Sequence, residues 1–416
     1  MTISEQIEDL VKREVSRRSQ SVQLIASENI SSRRVLSASG SLLSWKTGEG
    51  RPGRRFHSGC EVIDEVEEIA IGAAKSTFGS KEAWVQPLSC SLANLEAFLA
   101  IKRSLGPSFG RMRVLALGLA QGGHLSHGTM PHISRELFSV VEEITLDSKT
   151  LEIDVSSLRQ RAVALSPHLI ISGGSSYPRN FPFESIGQIA REVGAYHLAD
   201  ISHISGLVSA GVHPSPLPHA HLVTLSTYKA GGPRGGLILA GDLANEELIA
   251  KVGGAVFPGV QGTADFGNIA AKAVLFDEMS SNAYKKTQRS IVKNAKHLSS
   301  YLSESGFEVV TGGTDTHMVL LDLQRSKGLA GNVAEDRLAA AGIFANRNLV
   351  PLDPLPASVT SGIRLGTNTV TRQGMGDTEM ATLARLISES ITGVHLNQIR
   401  REVAELASSF EVYPLD

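Results

Sequence analysis

Residues 221–236 read HLVTLSTYKAGGPRGG. An apolar run (221–227) ends in the polar pair Ser226 and Thr227, with Lys229 just beyond and a second apolar run at 235–241. Short apolar runs bounded by glycine read as buried strands. A lysine just past a buried strand stands where open α/β sheets place their ligands. If desolvated, it can lose its proton and attack an aldehyde. A lone lysine in a turn is usually a surface residue. The GGPRGG that follows argues instead for close approach of the backbone to something.

Working outward, similar runs lie at 112–118, 168–174 and 195–200, and a helical pattern at 185–194 separates two of them. Strands alternating with helices imply parallel βαβ units. Runs that are apolar on both faces fit a sheet covered by helices on each side. Upstream, 63–78 has helical spacing, 44–60 (SWKTGEGRPGRRFHSGC) has no hydrophobic period and reads as loop, and the first segment reads as a polar amphipathic helix. After about residue 275 come a long helical stretch (276–305), the runs FEVVTGG and HMVLLDL, a helix near 331–342, SGIRLGT and a closing helical region. The expected organisation is an N-terminal arm (1–48), a large domain (49–275) and a small α+β domain (276–416).

Composition narrows the function classes. The 416 residues are 42% hydrophobic and 20% charged with a net charge of -2, which is globular usage without a basic stripe for nucleic acid. No apolar run approaches the roughly 20 residues of a membrane span, and the first residues lack an export signal. Two cysteines, Cys60 and Cys90, do not make a disulfide scaffold. The expectation is a cytoplasmic protein with no membrane or nucleic-acid partner.

Around Lys229 stand other candidates. The run at 195–200 ends in Asp200, placed to pair with a protonated pyridine nitrogen, or simply to cap a helix. His203 follows three residues later. VQPLSCSLANL (85–95) puts Ser89, Cys90 and Ser91 at a loop-to-helix junction that can hold phosphate, with Ser91 read as an ordinary N-cap. In QGGHLSHG (121–128), His124 can stack on an aromatic ring. These histidines and HPSPLPHAH (213–221) raise the question of metal, but their spacing matches no standard zinc pattern, so no metal is expected. Arg364 in SGIRLGT can clamp a carboxylate in a bidentate fork.

These strings, with LIASEN, EGRPGRRF, AVFPGVQG and VTGGTDTH, resemble the serine hydroxymethyltransferase family from about residue 20 to 390. The resemblance implies an α/β aminotransferase-like fold of pyridoxal-phosphate enzymes, with a mostly parallel seven-stranded sheet and a smaller C-terminal α+β domain. It implies pyridoxal 5'-phosphate on Lys229, tetrahydrofolate or its 5,10-methylene form as co-substrate, and a homodimer or pair of dimers sharing active sites. Asp200 would pair with the pyridine nitrogen and His124 would stack on the ring. Ser89, Cys90, Ser91, Ser175 and Ser226 would line the cofactor, and Gly262 would reach its phosphate from the partner subunit. Ser27, His203 and Arg364 would hold the substrate carboxylate. Glu49, also from the partner, would act as acid and base. Leu119, Leu125, Phe257 and Asn348 would line the folate site.

The departures from the family cluster at the reacting centre. Thr47 and His57 stand where the family has tyrosine, and Phe56 replaces another tyrosine beside His57. Tyr228 replaces a histidine, Cys90 a glycine and Arg51 a bulky tyrosine. Gly262-Thr263-Ala264 replaces Gly-Gly-Pro, and the loop after Lys229 is one residue short. Losing a ring at position 47 opens room for a substituent on the α-carbon, and admitting one methyl is worth about 1–3 kcal/mol. The chain is therefore expected to join a one-carbon unit to D-alanine, giving α-methylserine, as in the α-methylserine hydroxymethyltransferase branch, which it resembles in having threonine at position 47. The competing readings are a folate-independent aldolase of β-hydroxy amino acids, an ordinary glycine–serine enzyme and a non-catalytic cofactor-binding paralogue.

Overall fold

The computed structural model describes residues 1–129, 131–393 and 395–413. The chain divides into two compact units, Ser31–Gln288 and a second made of Met1–Ile30 with Arg289–Asp416. The sequence placed these limits at 48/49 and 275/276. The N-terminal arm divides because its two halves have different partners. Val22–Gln23 pairs in parallel with Ile343–Phe344, and Val22 and Leu24 join the apolar core of the second unit. Residues 33–45 pack on the helix Phe266–Ser280, where Gly267 leaves no room for a Cβ beside Ser39 and Ser44.

The large unit is built on a seven-stranded sheet. Its strands are β1 (Ala83–Trp84), β2 (Met112–Ala116), β3 (Phe138–Glu143), β4 (Leu169–Gly173), β5 (Tyr196–Asp200), β6 (Leu222–Ser226) and β7 (Gly236–Ala240), in spatial order β1-β7-β6-β5-β4-β2-β3. Strands β2 to β6 run parallel. The run at 235–241 differs, because β7 is antiparallel to both β6 and β1. No helix lies between β6 and β7 to carry the chain back, so the Lys229 loop must return it directly. Two strands escaped the sequence reading. β1 has two residues, and β3 is an edge strand with only Phe138 buried. Strands β4, β6 and β7 are buried at every residue, as a sheet covered on both faces requires.

The helix expected from 276 begins at Phe266, capped by Asp265 accepting from the Asn268 amide at 3.0 Å. It stops at Ser280, and a new helix spans Asn282–Glu304. The break is Ser281, which is extended and accepts from the Tyr284 amide at 3.1 Å as a fresh N-cap.

The second unit holds a four-stranded antiparallel sheet, β8 (Glu308–Val309), β9 (Met318–Asp322), β10 (Asn346–Asn348) and β11 (Gly362–Gly366), in order β8-β9-β11-β10. Its core includes Leu338, Ile363, Leu365, Leu383 and Ile387. Among the described residues, no helix is long and apolar enough to cross a membrane.

Candidate active site

Strands β5 and β6 end side by side, and their C-terminal ends carry the candidates. Asp200 closes β5 and is 5% exposed. Its Oδ2 accepts from Asn94 Nδ2 at 2.9 Å and His127 Nε2 at 3.1 Å, and its Oδ1 from the Ser202 amide at 3.0 Å. Cys90 Sγ lies 3.6 and 3.7 Å from the two oxygens. Burial pushes this carboxyl upward, but the His127 hydrogen bond and the imidazole charges outweigh it and hold it well below the usual carboxylate range. Asp200 is thus an anion set for a cationic partner.

The network fixes its own orientation. Asn94 Nδ2 donates also to Ser126 Oγ at 2.9 Å, while its Oδ1 accepts from Thr224 Oγ1 at 2.6 Å. Ser126 is left to donate its own hydrogen to His124 Nδ1 at 2.7 Å, and the Ser126 amide points to the same nitrogen at 3.2 Å. Burial, with a smaller push from His127, lowers His124 to about 4, so its ring is neutral and carries its proton on Nε2. His124, His127 and Asp200 keep their ligand atoms within 4.8 Å, a spacing that would also suit a metal ion.

Lys229 sits half-buried in a turn after β6. Thr227 ties this loop: its amide donates to Gly235 O at 3.1 Å, its hydroxyl to Pro233 O at 2.6 Å, and its carbonyl accepts from Gly232 at 3.1 Å. The Tyr228 ring faces two cations, Arg234 at 4.6 Å and Lys229 at 5.7 Å. Ser226 Oγ is buried at the end of β6 without a hydrogen-bond partner, an orphaned hydroxyl three residues before the lysine. The Ser226 amide donates to Ser202 Oγ, which bonds Cys90 Sγ at 3.0 Å.

Ser89, not Ser91, is the N-cap of the helix Cys90–Ser104, because it takes the extended backbone and accepts from the Leu92 amide at 3.2 Å. Ser175 donates its amide to Gly122 O at 2.7 Å, which stitches its turn to the His124 segment. Leu119 and Leu125 lie on that segment, Leu125 exposed, and His203 is buried on the turn after Asp200.

A second group gathers on the stretch read as loop. Gly50–Arg51 and Arg54–Arg55 form a short hairpin. Arg55 locks it with ion pairs to Asp64 at 2.7 Å and Glu67 at 2.6 Å and a bond to Gly50 O at 2.7 Å, its side chain 3% exposed. The hairpin presents Glu49, whose amide donates to His57 Nδ1 at 3.3 Å. A Cβ on Gly262 would lie 3.2 Å from Glu49 Oε1, so the two residues expected to serve a partner's site are neighbours. Phe56 packs on Phe257 with ring centroids 5.7 Å apart, and Thr47 and His57 are exposed. Gln261 Oε1 accepts from the Leu88 amide at 3.0 Å, just before Ser89.

Ser27, Asn348 and Arg364 belong to the second unit. Arg364 is 8% exposed and donates to Asn346 Oδ1 from Nε at 3.2 Å and Nη2 at 3.0 Å. Asn348 donates to Leu349 O at 2.6 Å, and Ser27 is half-buried.

The sequence reading missed Asn94, Ser126, His127, Ser202 and Thr227. A signal existed for one of them: His127 lies three residues after His124. The donor set fits pyridoxal phosphate. It offers an anion for the ring nitrogen, a neutral imidazole, an orphaned hydroxyl and a capped helix N-terminus for phosphate.

Comparison with known proteins agrees. The family model described as serine hydroxymethyltransferase matches residues 1–387. A serine hydroxymethyltransferase from Acidiphilium cryptum (strain JF-5) is 43% identical over 415 residues, covering 97% of this chain and 93% of its own length. Proteins of this family share the fold type I scaffold and are typically oligomeric. With fold, site chemistry and likeness pointing one way, the chain belongs to the serine hydroxymethyltransferase family of one-carbon transferases, which use pyridoxal 5'-phosphate and take tetrahydrofolate as co-substrate.

Proposed function

We propose that the amino acid this hydroxymethyltransferase favours is D-alanine, with α-methylserine as product, in place of or alongside glycine and serine. The observation that carries this is the short side chain of Thr47, two residues before Glu49 and next to a hairpin that Arg55 locks in place. The backbone cannot easily shift to refill the space left by a tyrosine, so the room passes to the substrate's α-carbon.

Bound pyridoxal phosphate supplies an electron sink for the α-carbon. Lys229 is the amine that would carry it, Asp200 would keep its ring nitrogen charged, and His124 would stack on the ring. Ser89, Cys90, Ser91, Ser175, Ser226 and the partner's Gly262 would hold its polar groups. Ser27, His203 and Arg364 orient the amino-acid carboxylate, with Tyr228 beside the lysine. Glu49 holds and releases the proton of the hydroxymethyl oxygen, and Leu119, Leu125, Phe257 and Asn348 receive the folate. The site is proposed to be shared by two chains, with Glu49 and Gly262, neighbours within one chain, both serving the partner's site.

The replacement of tyrosines by Phe56 and His57 supports a second reading, a folate-independent aldolase. A donor screen separates them: glycine, D-alanine and L-alanine, each offered with methylene-tetrahydrofolate or with formaldehyde. D-alanine turnover that needs the folate supports the proposal. Glycine preferred over both alanines refutes the α-methyl reading, and turnover with formaldehyde alone favours the aldolase.

A further inference from the structure

The helix Phe266–Ser280 buries Phe266, Ile269, Ala271, Leu275, Phe276 and Met279, and among these apolar residues sits one cation, Lys272, 2% exposed. A buried ammonium is costly unless all its hydrogens find acceptors. Lys272 has three: Nζ donates to Val85 O at 2.6 Å, Gly236 O at 2.9 Å and Pro87 O at 3.0 Å. Pro87 O also accepts the Gly236 amide at 2.8 Å. Room for the ammonium exists because Gly235 has no side chain, whose Cβ would lie 2.4 Å from Lys272 Cε.

The three carbonyls belong to two segments of the cofactor site. Val85 and Pro87 lead into Ser89, the cap of the helix Cys90–Ser104. Gly236 opens β7 and follows Gly235, the residue on which the Thr227 amide closes the Lys229 loop. We propose that Lys272 is a positioning residue for the family reaction: its ammonium ties the turn before Ser89 to the strand after Lys229, and so sets the phosphate end of the site against the lysine end. This rests on the pyridoxal-phosphate chemistry of the family and not on the choice of D-alanine.

Three carboxylates face the ammonium. Glu67, from the helix Glu61–Phe78, is already bound to Arg55 and Gln86. Asp265 caps the helix that carries Lys272. Glu96, from the helix Cys90–Ser104, is fully buried with neither carboxylate oxygen hydrogen-bonded. Burial lowers Lys272 to about 7 and raises Glu96 to about 8. Their opposite charges favour one another, so an ionised Glu96 helps Lys272 keep its proton as pH rises.

The test uses the apo form of the whole chain, titrated with pyridoxal phosphate and followed by amide hydrogen exchange. Lys272→Met is expected to weaken cofactor binding at least tenfold and to speed exchange at residues 88–92 and 235–236 together, while β4 and β5 stay protected. Affinity within twofold of wild type, or uniformly faster exchange across the large unit, would overturn the proposal. Glu96→Gln probes the same point without touching the ammonium. Its cofactor affinity should fall between pH 7 and 9 relative to wild type, and identical pH profiles would count against the tie.

Discussion

Asp200 and Glu49 are both carboxylates of the candidate site, held in opposite ways. Asp200 is buried and accepts hydrogen bonds from Asn94, His127 and the Ser202 amide. Glu49 is half-exposed, and its side chain has no hydrogen-bond partner among the described residues. Only its backbone is fixed, by the Arg55-locked hairpin. The difference fits the roles proposed for them. A group that stays ionised through the reaction gains from donors on every side. A group that takes up and gives back a proton needs freedom to change state. Most of the family departures fall on the loose side. Thr47, Phe56 and His57 border Glu49, whereas Cys90 lies against Asp200 and Tyr228 precedes Lys229.

The comparison can be broken at its centre. Lys229→Ala should remove the covalent link to the cofactor, abolish the absorbance band of the bound form and lower kcat by on the order of 10³-fold or more. Retained colour and turnover would disprove the role of that amine. Next in size, Arg55→Met leaves Glu67 buried and unpaired, so unfolding of the apo form should show a loss of about 3–5 kcal/mol. A loss under about 1 kcal/mol would mean the hairpin is held by something else. Thr47→Tyr should shift the ratio of kcat/KM for D-alanine over glycine toward glycine by about 10–150-fold. An unchanged ratio would release position 47 from any role in selection.

The smallest effect concerns pH. His124 titrates near 4 when folded, against about 6.5 when unfolded, so the unfolded chain takes up protons first as pH falls. The stability due to its neutral ring is complete above pH 6.5 and is lost as pH drops toward 4. Urea midpoints of the apo form at pH 7 and pH 4.5 should therefore fall further apart in wild type than in His124→Phe. Equal gaps would place the acid sensitivity elsewhere, with His197 and His221 the next candidates, because burial lowers both to about 4.

Much of the site was legible because chemistry at strand ends leaves a local mark. Asp200 and Lys229 follow apolar runs, and His124 follows two glycines. Asn94 left no such mark: a polar residue one turn into an apolar helix looks like any other until β5 and β6 bring Asp200 and Thr224 against it. Lys272 is more hidden still, since its acceptors are backbone carbonyls and carry no side-chain signature. β7 was found as a strand, but its direction was not, because direction depends on which neighbour it meets.

The sequence alone determined the alternation of buried strands and helices, the candidate lysine and carboxylate, and the family resemblance, because strand periodicity and residue order are local properties of the chain. Only the tertiary structure decided that Ser126, Asn94 and His127 form one hydrogen-bond chain, that Arg55 holds the Glu49 hairpin and that Lys272 joins two loops. Each of these rests on atoms far apart in sequence, and their hydrogen bonds exist only once burial has removed water as the competing partner.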